Sequence, residues 1–383
     1  MKNKKTIAVI FGGKSVEHDV SIITAHTPII DTLLTLPEYD VIPIYIAKDG
    51  AWYSEESMNH IDYFRRRGYE EALKNQKPLQ IVLGDKFSIT WPGIVPKKID
   101  IDVVFPAMHG TFGEDGSLMG ILRMANVPFV GCDMATSAVA MDKVFTKQIV
   151  SAVGLPIVRY DWLTKEEWEK NRKAFMERAR VLQWPLFVKP VHLGSSIAIT
   201  KVKNTSEFEQ ALEVAFHYDN KVLVEESVEN LIEVTLPIMG NSQLQPASIE
   251  RPLNKTEFFN FEDKYLSDGK KGSDSEANSS YSKIPADIDP DLADQVIELG
   301  KRVYKVLGCT GIARVDFLID ANKNQIYVNE VNTLPGSLYH HNWKASGVSN
   351  VELVQKLVQL AEERFVSEQK KVCTFTSPLL QSL

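Results

Sequence analysis

The sequence predicts a mixed fold, α/β followed by α+β: a parallel, helix-covered sheet at the N-terminus, then two units built on antiparallel strands. Three observations lead there. Short apolar runs alternate with helical periodicity through the first third, the signature of a parallel sheet. Farther on, apolar strands follow one another closely enough to pair antiparallel, near 185–203 and 311–332. The chain, at 383 residues, is also too long for one core.

Taken in order, strands are expected at 6–11, 41–47 and 103–107, with a helix over 21–34 that Pro28 should kink. A second unit begins near Gly131. Its helix spans 134–153 and is closed by Pro156. A strand at 158–163, a charged helix at 165–180, a buried strand at 185–190 and its antiparallel partner at 196–203 follow. A helix at 206–216 and a strand at 222–228 complete it. The third unit has strands near 233–239, 247–251, 311–320 and 325–332, flanked by helices 290–307 and 350–365. Between them "DGKKGSDSEANSSYSK" (268–283) is almost free of apolar side chains and reads as a lid or insert. The expected units are 1–130, 131–228 and 229–366, the last with a lid at 261–284, and a tail over 367–383.

Composition narrows the function. Hydrophobic residues make up 44% and charged residues 24%, as in a soluble globular protein. The net charge of −7 argues against a nucleic-acid or anionic-membrane surface, while leaving room for a local basic pocket. Cys132, Cys309 and Cys373 form neither a disulfide framework nor a metal spacing. The first apolar run, 7–11, is shorter than a signal core, and no stretch reaches transmembrane length. The expected location is cytoplasmic.

The first strand ends in "GGKS". A Walker loop needs a glycine five positions before Gly13, where Ala8 stands, and no G-x-G-x-x-G spacing exists. What remains is a glycine turn at the carboxyl end of a strand, where open sheets bind ligands, with Glu17 inside it.

Near the C-terminus, "GIARVDFLID" and "NQIYVNEVNTLPG" read as a hairpin. A three-residue loop centred on Lys323 puts Asp316 opposite Glu330 and Arg314 opposite Asn332, all on one face. Adjoining carboxylates repel, and a divalent cation completed by phosphate oxygens resolves that; an ordinary solvated strand face is the alternative. In "PLFVKPVHLGSSIAITKV", Lys189 lies in a buried-looking strand and either meets an anion or snorkels to water. Small residues at Gly194–Ser196 let backbone N–H groups approach a phosphate. Glu225 and Glu226 end an apolar strand, and alone would be an ordinary acidic end. In "FPAMHGTFGEDG", the glycines imply a backbone bent near a ligand, whereas His109 alone would read as structural. Lys143 and Lys147 share one helix side, which without other context is a solvated basic face.

Together, "GGKSVEHDVS", "HGTFGEDGSLMG", "AMDKVFTK", "FVKPVHLGSS", "LVEES", "FEDKYLSDG", "ARVDF" and "VNEVNTLPG" resemble the D-alanine–D-alanine ligases of the ATP-grasp superfamily, over about 7–365. The resemblance implies an ATP-grasp fold and ATP-dependent joining of two D-alanines through an acyl phosphate, for peptidoglycan precursors. It implies that Asp316, Glu330 and Asn332 hold two Mg²⁺ ions, for which Mn²⁺ can substitute. Lys143 and Lys189 would meet phosphate oxygens, and Ser195 and Ser196 would line the phosphate loop. Glu225 would accept from the adenine amine, Glu226 and Val228 would complete the hinge, and Glu233 would bind ribose. Arg314 and the Gly336 N–H would stabilise the tetrahedral intermediate.

By the same resemblance, Glu17, Ser195 and Tyr265 form a trio tying turn, loop and lid, and Glu17 engages the first D-alanine's amino group. His109 and Glu114 lie beside that substrate, with Lys264, Ser337 and Leu338 also contacting substrate. Tyr265, rather than histidine, favours an amine nucleophile. The family is commonly homodimeric. Two departures surround the second-substrate pocket: "SLYHHNWKASG" is shorter than usual, leaving His340 and His341 in unfamiliar space, and the lid is longer. Phe259 and Phe261 stand where tyrosines are common. The alternatives are a ligase with another acceptor and a non-catalytic nucleotide-binding regulator.

Overall fold

A computed structural model describes residues 4–84, 86–253, 282–377 and 379–381. The expected lid, with Phe259, Phe261, Lys264 and Tyr265, lies outside the described residues, apart from its last positions.

The first sheet has the order Trp52–Tyr53, Tyr39–Ile46, Lys5–Gly12, Val103–Pro106; its last three strands are parallel. Ile7, Val9 and Phe11 face one apolar layer and Ala8 and Ile10 the other, because strand side chains alternate and both faces are covered. The expected first helix is one helical run, α over His18–Thr24, π over Ala25–Ile30 and α again over Asp31–Leu34. Pro28 sits in the wider π segment, which absorbs its missing N–H. A small antiparallel meander (Gln80–Val82, Ser88–Trp91, Lys97–Asp100) joins this part.

The second sheet, in the order Thr200–Val202, Leu186–Pro190, Lys221–Glu226, Tyr160–Thr164, is antiparallel throughout. Helix Thr205–Tyr218 buries Phe208, Leu212 and Phe216 against it. The third sheet runs Gln245–Pro246, Leu231–Met239, Ile312–Asp320, Gln325–Asn332, again antiparallel, under helix Pro290–Val306.

Three expectations need correction. The 134–153 helix is two, Met134–Met141 and Lys143–Ala152, because Asp142 leaves helical geometry and its carboxylate caps Val144 and Phe145. Asn171 divides the 165–180 helix in the same way, capping Ala174. Helix Asn350–Gln369 does not cover the third sheet. Leu353, Val354, Leu357 and Val358 pack with Ile7, Val9, Val103 and Phe105, so the chain's end closes the first sheet. Arg364 reinforces this return by donating to the carbonyls of Phe129 and Gly131 and to Thr310 Oγ1. Among the described residues, no helix is long and apolar enough to cross a membrane.

Candidate active site

The glycine turn is shaped by its neighbours. Gly12 has φ of 88°, and a Cβ there would lie 2.3 Å from the Ile46 carbonyl oxygen, so only glycine fits. Gly12 N donates to Ser21 Oγ at 2.7 Å, and that hydroxyl donates to the Ala107 carbonyl. His18 Nδ1 lies 2.6 Å from the Gly13 carbonyl oxygen. Burial holds the His18 pKa below the ordinary histidine value despite that carbonyl, so the ring stays neutral as the turn's brace.

Glu17 is buried, and Ser195 Oγ donates to it across the molecule. Its carboxylate is also beside Gly110 and Gly194, where an added Cβ would lie 2.9 and 3.3 Å from Oε2. The glycine turn, the 109–116 loop and the 192–198 loop therefore meet at one carboxylate. Ser195, Ser196 and Ala198 have φ of 55–57°, which bends the last of these loops back on itself. Glu114 Oε2 accepts from Gly110 N at 2.7 Å, bracing its own loop. His109 Nε2 is hydrogen-bonded to Thr24 Oγ1 at 2.8 Å, and Ser337 N donates to the same oxygen at 3.1 Å. Thr24 thus links His109 to the segment after Gly336. It carries no motif, and sequence reasoning missed it.

The lysine helix is no solvated face. Lys143 and Lys147 are 9% and 1% exposed. Lys143 Nζ donates to the Leu193 carbonyl at 2.7 Å and lies 3.6 Å from Glu330 Oε2, spanning the second and third sheets. Lys147 Nζ lies 2.8 Å from Glu225 Oε2, close as an ion pair though poorly aligned as a hydrogen bond, while Lys189 pairs with Glu225 Oε1. Burial opposes the Glu225 charge, but the two ammonium groups outweigh it and bring its pKa down to about 2. Burial lowers Lys147; burial also opposes the Lys189 charge, but Glu225 outweighs it and holds that lysine above its ordinary value.

The Glu225 carboxylate is held by two lysines. The Glu226 carboxylate accepts from Gln183 N at 2.9 Å, away from the lysines. Val228 lies half-buried in the connection leading to Leu231–Met239, and Glu233 is half-buried on that strand, close enough to help hold the Lys189 charge.

Asp142 also ties the 192–198 loop to its surroundings. His192 Nε2 lies 3.2 Å from Asp142 Oδ2 and its Nδ1 3.0 Å from Asp219, and Lys221 Nζ donates to Asp142 at 2.8 Å. The two carboxylates push the His192 pKa up to about 9, against a smaller opposing effect of burial. A raised folded-state pKa means the stabilisation is complete below about 6.5 and lost as pH rises through about 9. Urea midpoints should accordingly fall between pH 7 and 10, with a shallower fall in His192→Gln. Parallel profiles for the two proteins would contradict this coupling. The effect is modest, because the His192 side chain is 45% exposed.

The C-terminal hairpin keeps the predicted pairings, Arg314 with Asn332 and Asp316 with Glu330. The route differs. The connection has four residues, 321–324, and the extra one is offset where the ladder skips Asn329 between the Phe317–Val328 and Asp316–Glu330 pairs. Arg314 Nε donates to Asp316 Oδ1 at 2.6 Å, Asn332 Nδ2 donates to Asp316 Oδ2 at 3.2 Å, and Arg314 Nη2 is 4.0 Å from Glu330. The carboxylates are therefore not bare: arginine and lysine neutralise them. Burial opposes the Arg314 charge, but Asp316, with Tyr339 and Glu330, holds its pKa well above the ordinary value.

Among the described residues no three His, Cys, Asp or Glu side chains cluster for a metal. Two carboxylates and one amide on a shared face nonetheless fit a hard cation that takes its other oxygens from phosphates.

Gly336 is half-buried after the hairpin, and a Cβ there would meet no other atom within 4 Å. Leu338 is 3% exposed in the apolar core with Trp343, and its N–H bonds to the Pro335 carbonyl. His340 Nδ1 bonds to the Ser337 carbonyl at 3.0 Å and His341 Nε2 lies 3.3 Å from Glu250.

Comparison with known proteins decides the family. Two family models match, "D-ala D-ala ligase N-terminus" over residues 6–132 and "D-ala D-ala ligase C-terminus" over 149–359. The chain belongs to the D-alanine–D-alanine ligase family. A D-alanine–D-alanine ligase of Thermosipho melanesiensis is 35% identical over 98% of both chains. The solved D-alanine–D-alanine ligase from Coxiella burnetii is 30% identical with a TM-score of 0.77, covering 96% of this chain and 97% of its own. The VanG D-Ala:D-Ser ligase from Enterococcus faecalis is 33% identical with a TM-score of 0.78, covering 94% of this chain and all of its own. The fold is that of these ligases, ATP-grasp, and the family takes ATP as a substrate with a divalent metal.

Proposed function

We propose that this ligase joins two D-alanine molecules to D-alanyl-D-alanine with ATP, supplying peptidoglycan precursors. The observation that carries the reading is the meeting of the glycine turn and phosphate loop at Glu17 and Ser195, with Lys143 bridging that loop at Leu193 to Glu330 on the Arg314–Asp316–Glu330–Asn332 hairpin. Glu17 receives the first substrate's ammonium group, with His109 and Glu114 on that side. The carboxylate of this substrate takes the γ-phosphoryl group of ATP. The second substrate's amine then attacks the carbonyl, the C–N bond forms and phosphate leaves.

Negative charge develops in both steps, so positioned cations do most of the catalysis. Lys143 and Lys189 neutralise phosphate oxygens; Arg314 and the Gly336 N–H face the tetrahedral oxyanion. Asp316, Glu330 and Asn332 would hold two Mg²⁺ ions, which supply charge neutralisation at the phosphates. Lys264 and Tyr265 belong to the same reading as lid contacts. The reading also includes a homodimer in the cytoplasm.

The test is phosphate release from ATP with Mg²⁺ and D-alanine, with the dipeptide identified by mass. Turnover with another pair and none with D-alanine would overturn the substrate and spare the chemistry. One acceptor deserves its own arm. The neighbour named as a D-Ala:D-Ser ligase and the short segment after Gly336 both favour including D-serine beside D-alanine. ATP binding with no phosphate release for any acceptor would return the regulator reading.

A further inference from the structure

The segment after Gly336 carries a feature the reaction scheme does not use. Ser337, Leu338 and Tyr339 are consecutive non-glycine residues with φ of 47°, 52° and 50°. L-residues are disfavoured in this left-handed region, and such runs persist where surrounding contacts over-determine them. Two contacts do so here. Leu338 enters the apolar core, and Tyr339 is delivered to the catalytic face.

There Tyr339 meets Arg314 twice. Its Oη accepts a hydrogen bond from Nη1 at 3.0 Å, and its ring centroid lies 4.7 Å from the guanidinium carbon. Arg314 is 4% exposed, and among the described residues the carboxylates paired with it are those of Asp316 and Glu330. Both are the carboxylates assigned above to the divalent cation. A cation that claims them takes away the countercharge of a buried guanidinium, which is strongly disfavoured unless other contacts remain. Among the described residues, Tyr339 is the Arg314 contact that such a cation does not claim.

We infer that Tyr339 is a positioning residue, holding Arg314 in place by its hydroxyl and its ring face while Asp316 and Glu330 turn to the cation. The inference rests on the proposed function only for the cation assignment, not for the identity of the acceptor. It makes cation loading and arginine placement one coupled event: without Tyr339, the guanidinium stays with Asp316 and competes with the metal.

The test compares the wild-type chain with Tyr339→Phe, which keeps the ring, and Tyr339→Ala, which removes ring and hydroxyl. Mn²⁺ affinity in the presence of ADP is measured from the free-ion paramagnetic resonance signal, alongside metal-free ADP affinity and the urea midpoint. Mn²⁺ should bind about 3-fold more weakly to the phenylalanine variant and about 10-fold more weakly to the alanine variant, as expected for one hydrogen bond and one cation–π contact. Metal-free ADP affinity should stay within about 2-fold of wild type, since no ATP-site residue on the second sheet is touched. Unchanged Mn²⁺ affinity in the alanine variant overturns the inference. So does an equal loss of metal-free ADP binding, which signals a general structural role. Wild-type failure to turn over D-alanine bears on the substrate alone and leaves this comparison intact.

Discussion

Arg314→Ala is expected to lower kcat by about 10²–10³-fold, the range for losing a main stabiliser of a developing oxyanion. The same change should leave Mn²⁺ affinity equal to or tighter than wild type. The reason is in the hairpin: the guanidinium holds Asp316 through Nε and Nη2 and lies 4.0 Å from Glu330, so it competes for the groups a cation needs. Removing it takes this competitor away from both carboxylates, while Asn332 still donates to Asp316 and Lys143 is still 3.6 Å from Glu330. Turnover and cation affinity should therefore move apart. Steady-state kinetics and Mn²⁺ titration on the same preparation check this. A variant that loses metal affinity and turnover together would show that Arg314 organises the metal face instead of competing with it.

Glu225→Gln should destabilise the protein by about 3–5 kcal/mol, the usual consequence of removing one partner from a buried charge cluster. Glu225, Lys147 and Lys189 share a pocket with exposures of 1%, 1% and 9%. The amide keeps the shape of the carboxylate and abolishes the only negative charge contacting both ammonium groups among the described residues. The pH dependence follows from a lowered carboxyl pKa. In the folded state it is about 2 against an ordinary 4.5, so the wild-type advantage is complete above 4.5 and disappears as pH falls through about 2. Urea midpoints at pH 7 should differ strongly between wild type and variant and converge toward pH 2. A constant difference over that range would assign the loss to packing instead of charge.

The site was legible where chemistry and local spacing coincide. Asp316 and Glu330 could be paired from the sequence because alternation and hairpin closure act over a few residues. Even there, a three-residue turn was expected where four residues connect the strands, and the skip at Asn329 cancelled the error. Asp142 and Asn171 were missed as breaks because the apolar rhythm continues through both, while a capping side chain, which any pattern of hydrophobicity ignores, interrupts the helix. The lysines were visible and their burial was not. Burial depends on which sheet faces the helix, and Glu225 comes from 78 positions downstream of Lys147.

By itself, the sequence determined the alternating parallel unit, the antiparallel hairpins and the motif set that marks the ligase family, since these depend on periodicity and on residue types at short spacing. Only the tertiary structure decided that the last helix closes the first sheet, that Thr24 joins His109 to Ser337, and that Tyr339 lies against Arg314. These contacts join residues far apart in the chain or depend on an unusual backbone turn. Their geometry is selected by packing and by the need to pair buried polar groups, neither of which any local stretch of residues encodes.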